Sequence, residues 1–160
     1  MSQSTSTDLY RGMVRLGGGT FAMGSDTFYP EETPVRRVRV DAFWIDETPV
    51  TNAQFALFVA ETGHVTFAEL PPDPKQYPGM DPALAHPGSL VFEPTPWPVP
   101  LDEVSWWQFR LGANWRQPLG PGSSIVGIED HPVVHVTHAD ADAYARWAGK
   151  ALPTEAEHEF

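Results

Sequence analysis

Three histidines near the carboxyl end of the sequence, His131, His135 and His138, have a spacing that could serve a metal ion. Zinc binds neutral imidazoles well when their rings converge. Here residues 133–136 form a short apolar run that predicts a strand, which places His131 and His135 on or near that strand and His138 at the start of a helix. Convergence is not expected from that arrangement. We therefore predict no metal site and interpret these side chains as hydrogen-bonded histidines of the core or its edge.

Other catalytic chemistry has little support in the sequence. There is no cysteine, which excludes a disulfide, a thiolate metal site and a cysteine nucleophile within this segment. No Gly-x-Ser-x-Gly motif supports a serine nucleophile. Glu155, Glu157 and Glu159 could act as general acids, but three carboxylates at the start of a helix are typical of a solvated end that complements the helix dipole. We predict no catalytic residue in the chain.

Aromatic residues around a proline-rich segment are the better candidates for a binding site. Ten prolines lie between positions 71 and 100, together with an apolar stretch at 89–92, and Trp106 and Trp107 follow. We predict a long ordered loop layered on the core rather than a domain linker, since loops of this length tend to be functional. Ser89, Trp106, Trp107 and Trp115 would then either bind a peptide or pin the loop to the core.

The composition limits the partners and the location. The chain has 160 residues, enough for one domain with a real core. Its 10 basic and 21 acidic residues give a net charge of −11, which argues against nucleic acid and anionic membranes as partners. The acidity serves solubility or attracts a basic partner. The start of the chain has no signal-peptide pattern, and no apolar stretch would span a membrane, so we expect a cytoplasmic location.

The elements that must position these residues are signalled by local patterns. Residues 1–9 are polar and are predicted to be a disordered tail before a domain over 10–160. Strands are predicted at 20–24, 35–40 and 43–45. Thr51 and Gln54 form a capping box for a helix that ends at Gly63.

Two further helices are predicted towards the carboxyl end. Thr137 caps the first, with Asp140 at its third position and Gly149 as its stop. Thr154 and Glu157 form a capping box for the second, which has only about six residues, under two turns, and is marginal without tertiary support. We interpret this as an element cut short.

Four sequence motifs in order resemble one protein family. They are Gly18-Gly-Thr-Phe-Ala-Met-Gly-Ser25, Phe43-Trp-Ile-Asp-Glu-Thr-Pro-Val-Thr-Asn-Ala-Gln-Phe55, Gly112-Ala-Asn-Trp-Arg-Gln-Pro-Leu-Gly-Pro-Gly-Ser123, and the block from His131 that contains Trp147-Ala-Gly-Lys-Ala-Leu-Pro-Thr-Glu-Ala-Glu157. They resemble the formylglycine-generating enzymes, also called sulfatase-modifying factors. The resemblance covers residues 12–160 and implies the N-terminal part of an irregular, loop-rich α+β fold related to C-type lectins, truncated here.

The resemblance also implies a reaction and a substrate. The intact relatives use copper and O2 to oxidise the cysteine of a Cys-x-Pro-x-Arg segment in a sulfatase polypeptide to formylglycine, and they carry calcium as a structural ion. Their catalytic cysteines lie in a C-terminal Gly-Gly-Ser-x-x-Cys region, and their calcium-binding segments also follow the Leu-Pro-Thr-Glu motif. Neither region is present here, so we expect this fragment to bind neither copper nor calcium and to be inactive alone.

Two residues match substrate-binding positions of the family. The serine of a Ser-x-Val-Phe segment and the first residue of the Trp-Trp pair line the peptide groove, and these positions are Ser89 and Trp106. His138 and His158 stand where the family usually has Trp, which bears on packing more than on chemistry.

Two other functional classes remain open on the same scaffold. One is a non-catalytic module that binds a peptide or another ligand. It would keep Ser89 and Trp106 and lack a downstream cysteine pair. The other is the similar domain of an iron-dependent sulfoxide synthase of ergothioneine biosynthesis, which would follow a histidine-rich helical domain.

Overall fold

The computed structural model describes residues 10–95, 97 and 106–160. The predicted tail over 1–9, residue 96 and residues 98–105 lie outside the described residues. The chain mixes short helices with antiparallel two-stranded sheets, in agreement with the predicted α+β class. It divides into two compact units, one made of the residues up to Pro49 with Ala151–Phe160, and the other of Val50–Lys150.

The first unit contains two sheets of antiparallel strands. Strand β1, Met13–Leu16, pairs with β4, Phe43–Asp46, and β2, Gly19–Met23, pairs with β3, Arg36–Val40. All three strands predicted in this region are confirmed within one or two residues. The side chains of Met23 and Val40 are buried.

The short terminal helix of the same unit is held by contacts outside itself. Helix α3, Glu155–Glu159, has the predicted capping box, in which Thr154 and Glu157 satisfy each other's backbone N–H groups. The carboxylate of Glu159 accepts the Gly24 N–H at 2.7 Å, and the ring of Phe160 lies edge-on to Phe21 with centroids 5.5 Å apart. These contacts supply the tertiary support that so short a helix needs.

The second unit is built on helix α1, Asn52–Thr62. Its predicted capping box between Thr51 and Gln54 is present, and Gly63 ends it in the left-handed conformation with φ of 68°. An apolar stripe on this helix, formed by Phe55, Phe58 and Val59, packs with Trp115, and these four buried side chains form the core.

Helix α2, His138–Trp147, packs on this core. Thr137 caps it, and Asp140 completes a capping box that the sequence suggested only as a favourable charge. Tyr144 stacks on Phe55 at 6.0 Å and meets Phe58 edge-on at 5.6 Å.

The strand predicted over residues 133–136 is wrong. An isolated bridge between Thr51 and Pro132 lies just before this segment, and the Val133 N–H bonds to the Val50 carbonyl at 2.9 Å. His135 has φ of 59°, in the left-handed region, which interrupts any extended strand.

The prediction of one long loop is also wrong in part. Residues Gly88–Phe92 form strand β5, which pairs in antiparallel register with β6, Trp107–Leu111. Apolar residues alternate along β6, whereas β5 has three in succession, Leu90, Val91 and Phe92. Three-residue 3₁₀ helices complete the described chain, at Pro30–Glu32, Phe67–Glu69 and Pro82–Leu84. Within the described residues, no helix has the length and apolar character needed to cross a membrane.

Candidate peptide-binding site

The β5–β6 hairpin places Ser89 and Trp106 on one face. Ser89 pairs with Arg110, and the Glu93 N–H bonds to the Trp106 carbonyl at 2.7 Å, which extends the ladder by one pair beyond β6. Since successive side chains of a strand point to opposite faces of a sheet, every second residue of a strand, and the residue paired with it on the neighbouring strand, share a face. We call this the inner face: Ser89, Val91, Glu93, Trp106, Gln108 and Arg110.

The two candidate residues lie at opposite ends of the inner face. Ser89 and Trp106 are four residues apart in the strand direction and lie on neighbouring strands. The rise per residue and the distance between strands then place their Cα atoms about 14 Å apart. Val91 between them is buried, whereas Gln108 and Arg110 on β6 are exposed. A small ligand would not reach both ends, but an extended segment of about five residues spans that distance.

The inner face carries one ion pair, between the Arg110 guanidinium and the Glu93 carboxylate. Both side chains are nearly half exposed. Such a pair contributes little to stability. It does give the face a carboxylate and a guanidinium that a charged peptide can engage.

Ser89 is held by a residue that the sequence did not connect with it. The Ser89 hydroxyl lies 2.8 Å from Nδ1 of His135, whose Nε2 lies 2.8 Å from the Pro118 carbonyl oxygen. The interpretation of His135 as a hydrogen-bonded histidine is therefore confirmed. Its partner was missed because 46 residues separate the two, and no periodic pattern links them.

The residues of the chain do not fit the copper site that the resemblance implies for the intact relatives. Soft thiolates are the ligands that suit Cu(I), and the sequence contains no cysteine. Across residues 10–95, 97 and 106–160, no three His, Asp or Glu side chains are grouped as a metal site would require. His135 is engaged with Ser89 and Pro118, while His131 and His138 are exposed.

A buried carboxylate ties the start of helix α2 to the loop after α1. Asp140 accepts bonds from the Thr137 N–H at 2.8 Å, the Thr137 hydroxyl at 2.7 Å, the His64 ring at 2.8 Å and the Phe67 N–H at 3.4 Å. Burial acts to raise the pKa of Asp140, but the bonds from Thr137, His64 and Phe67 outweigh it, so the pKa lies below its usual value. This carboxylate therefore has a structural role.

An open pocket of about 680 Å³ lies beside helix α1. Its walls include the apolar side chains of Val59, Trp115 and Ile125 and the polar side chains of His64 and Arg116. No sequence pattern indicates this pocket, because its residues come from separate segments of the second unit.

Comparison with known proteins places the chain in a family. The model of the sulfatase-modifying factor enzyme 1-like domain matches residues 1–160. The formylglycine-generating enzyme of Mycobacterium tuberculosis is 56% identical over 149 residues, which are 92% of this chain and 50% of the relative.

Two other relatives extend the comparison. The formylglycine-generating enzyme of Thermomonospora curvata is 48% identical over 159 residues, 96% of this chain and 49% of the relative. A mouse protein named inactive C-alpha-formylglycine-generating enzyme 2 is 42% identical over 158 residues, 92% of this chain and 46% of the relative. The chain thus spans about half the length of the curated relatives it matches.

Proposed function

The chain belongs to the sulfatase-modifying factor enzyme 1-like domain family, and we propose that it supplies the peptide-recognition part of a formylglycine-generating enzyme. The substrate in this proposal is a cytoplasmic sulfatase polypeptide with a Cys-x-Pro-x-Arg segment. Ser89 and Trp106 contact the two ends of that segment, and the fold is the N-terminal part of a domain related to C-type lectins.

The spacing of Ser89 and Trp106 on the inner face is the observation that carries this proposal. Their separation of about 14 Å is close to the length of a five-residue extended peptide. Trp106 is partly exposed, as an aromatic anchor for a peptide should be. The ion pair between Arg110 and Glu93 crosses the inner face between the two ends, and because both side chains are nearly half exposed, it can open when the peptide binds.

In this proposal, residues outside these 160 carry out the redox chemistry. Oxidation of the substrate cysteine in the intact relatives needs copper, and this chain has no thiolate to hold it. The calcium ion of the family belongs, in the same proposal, to segments that follow the Leu-Pro-Thr-Glu motif. The part played by these residues is to bind the peptide and fix its direction.

The test compares two neighbouring tryptophans. Trp106→Ala should weaken binding of a Cys-Ala-Pro-Ala-Arg peptide by about 2 kcal/mol, roughly 30-fold in Kd, with near-native melting. Trp107→Ala is the matched control, because Trp107 is on the opposite face of the hairpin and 55% exposed, and its Kd should stay unchanged. Fluorescence anisotropy of a labelled peptide gives both values.

Two outcomes would contradict the proposal. If Trp106→Ala lowers the melting temperature sharply and leaves the affinity per folded molecule intact, Trp106 is a core residue, since a core Trp costs about 3–5 kcal/mol. If both variants lose affinity equally, the contact is not specific to the inner face.

A non-catalytic binding module is the second candidate function. Its 42% identity over 158 residues to a relative named as inactive favours it. The two candidates separate when the chain is combined with the C-terminal half of the M. tuberculosis relative. Aldehyde formation on the peptide supports the first, and binding without aldehyde supports the second.

A further inference from the structure

His135 has an unusual backbone for a residue with a side chain. Among the described residues it is the only non-glycine residue with positive φ, at 59°. Histidine tolerates this region better than most residues, yet the conformation is still strained and persists only where the surroundings enforce it. The bonds of its ring to Ser89 and Pro118 are the interactions that hold it.

The two partners of the ring determine where its proton lies. The Pro118 carbonyl can only accept, so Nε2 of His135 must carry hydrogen. A neutral imidazole has one N–H, so Nδ1 is the acceptor, and the Ser89 hydroxyl must donate to it. The hydrogen of Ser89 is then engaged, and its oxygen presents lone pairs alone to a ligand.

We propose that His135 is a positioning residue that makes Ser89 an obligate hydrogen-bond acceptor for an N–H group of the bound peptide. The inference rests on the proposed peptide-binding function. It specifies the chemistry of recognition: Ser89 selects a peptide that offers a backbone or side-chain N–H at that end of the inner face. It disfavours a peptide that offers only a carbonyl there.

The two bonds of the ring can be separated by amide substitutions. In His135→Asn the side-chain oxygen lies near the position of Nδ1, so an acceptor for Ser89 remains, and Asn also tolerates positive φ. In His135→Gln the amide nitrogen reaches the position of Nε2, which keeps the donor to Pro118 and removes the acceptor for Ser89. Ser89→Ala removes the acceptor oxygen itself.

Affinity for the Cys-Ala-Pro-Ala-Arg peptide is measured on the full 160-residue chain. One neutral hydrogen bond corresponds to about a fivefold change, so His135→Gln and Ser89→Ala should each weaken binding about fivefold. The double variant should bind no more weakly than either one. His135→Asn should stay within about twofold of the unsubstituted chain.

A spectroscopic readout keeps the inference testable if His135→Gln fails to fold. In ¹⁵N-labelled protein, above the pH range in which imidazoles protonate, the ring should show hydrogen on Nε2 and a bare Nδ1. Hydrogen on Nδ1 would overturn the inference. So would additive losses in the double variant, or unchanged affinity in a folded His135→Gln. A peptide that does not bind the unsubstituted chain would instead defeat the proposed function, and this inference with it.

Discussion

Removing the carboxylate of Asp140 should destabilise the second unit more than any exposed charge does. This residue is 4% exposed, and its carboxylate joins the cap of helix α2 to the loop that carries His64 and Phe67. Two substitutions separate its shape from its hydrogen bonding. Asp140→Ala deletes every bond, whereas Asp140→Asn keeps the size of the side chain.

The magnitude for alanine follows from the four bonds. Hydrogen bonds to a charged group contribute about 1.5–3 kcal/mol each. The two bonds from Thr137 are short, at 2.7 and 2.8 Å, whereas that from Phe67 is long, at 3.4 Å. His64 is partly exposed and can turn to water. If only the two Thr137 bonds count, each at about 1.5 kcal/mol, Asp140→Ala should lower the unfolding free energy by about 3 kcal/mol.

The asparagine variant should lose less. Its amide oxygen can accept from Thr137, and its amide nitrogen can donate to His64, provided that the imidazole adopts the tautomer with a bare Nε2. The contribution of the charge is lost, so the expected cost is about 1 kcal/mol.

Urea unfolding followed by circular dichroism measures both variants. The matched control is Asp142→Ala, two residues further along helix α2, where the carboxylate makes an i,i+4 pair with Arg146 at 2.6 Å. That pair should contribute no more than about 0.5 kcal/mol. If Asp140→Ala is no more destabilising than this control, the network does not hold the unit together.

The remaining predictions concern pH, packing, backbone and activity. Because the pKa of Asp140 is lowered in the fold, its stabilising effect is full above its unfolded pKa and is lost as the pH falls through the lower folded pKa. The difference in unfolding free energy between wild type and Asp140→Asn should therefore disappear in acid. Phe55→Ala should cost about 3–5 kcal/mol in the same assay, because Phe55 is 1% exposed, whereas Leu57→Ala at 54% exposure should stay near zero. Gly63→Ala should lower the unfolding free energy by about 1 kcal/mol because of its positive φ alone. Gly24→Ala should lower it by about 1–3 kcal/mol more, since the added Cβ would lie 2.4 Å from the Glu32 carbonyl oxygen. Mass spectrometry should detect no aldehyde when the chain alone is incubated with copper, O2 and the peptide; turnover that a copper chelator stops would contradict the reasoning from the missing thiolates.

Local sequence signals predicted the helices well. Each capping box is completed within four residues, so Thr51 with Gln54 and Thr154 with Glu157 could be identified without knowledge of the rest of the fold. The same is true of the apolar stripe on α1, whose period is a property of the helix alone.

Non-local contacts explain what the sequence did not predict. Strand β5 pairs with a strand beyond a proline-rich stretch, so its partner is not indicated by a short turn motif. Residues 133–136 have strand-like composition, but contacts of His135 with Ser89 and Pro118 determine the backbone there. At the candidate site, the resemblance to the family identified Ser89 and Trp106. That the two side chains lie on one face of the sheet could be seen only from the pairing register of β5 and β6.

The face of the β5–β6 hairpin opposite Ser89 has a consequence for the behaviour of the protein in concentrated solution. Five large apolar side chains on it are each 38–55% exposed: Leu90, Phe92, Trp107, Phe109 and Leu111. Among the described residues this sheet has two strands, and strand edges that no further strand covers promote strand-to-strand association. At neutral pH the net charge of −11 opposes it through mutual repulsion. Colloidal stability should therefore fall as the pH approaches the isoelectric point near 4.8, and salt should bring precipitation closer to neutrality by screening that repulsion.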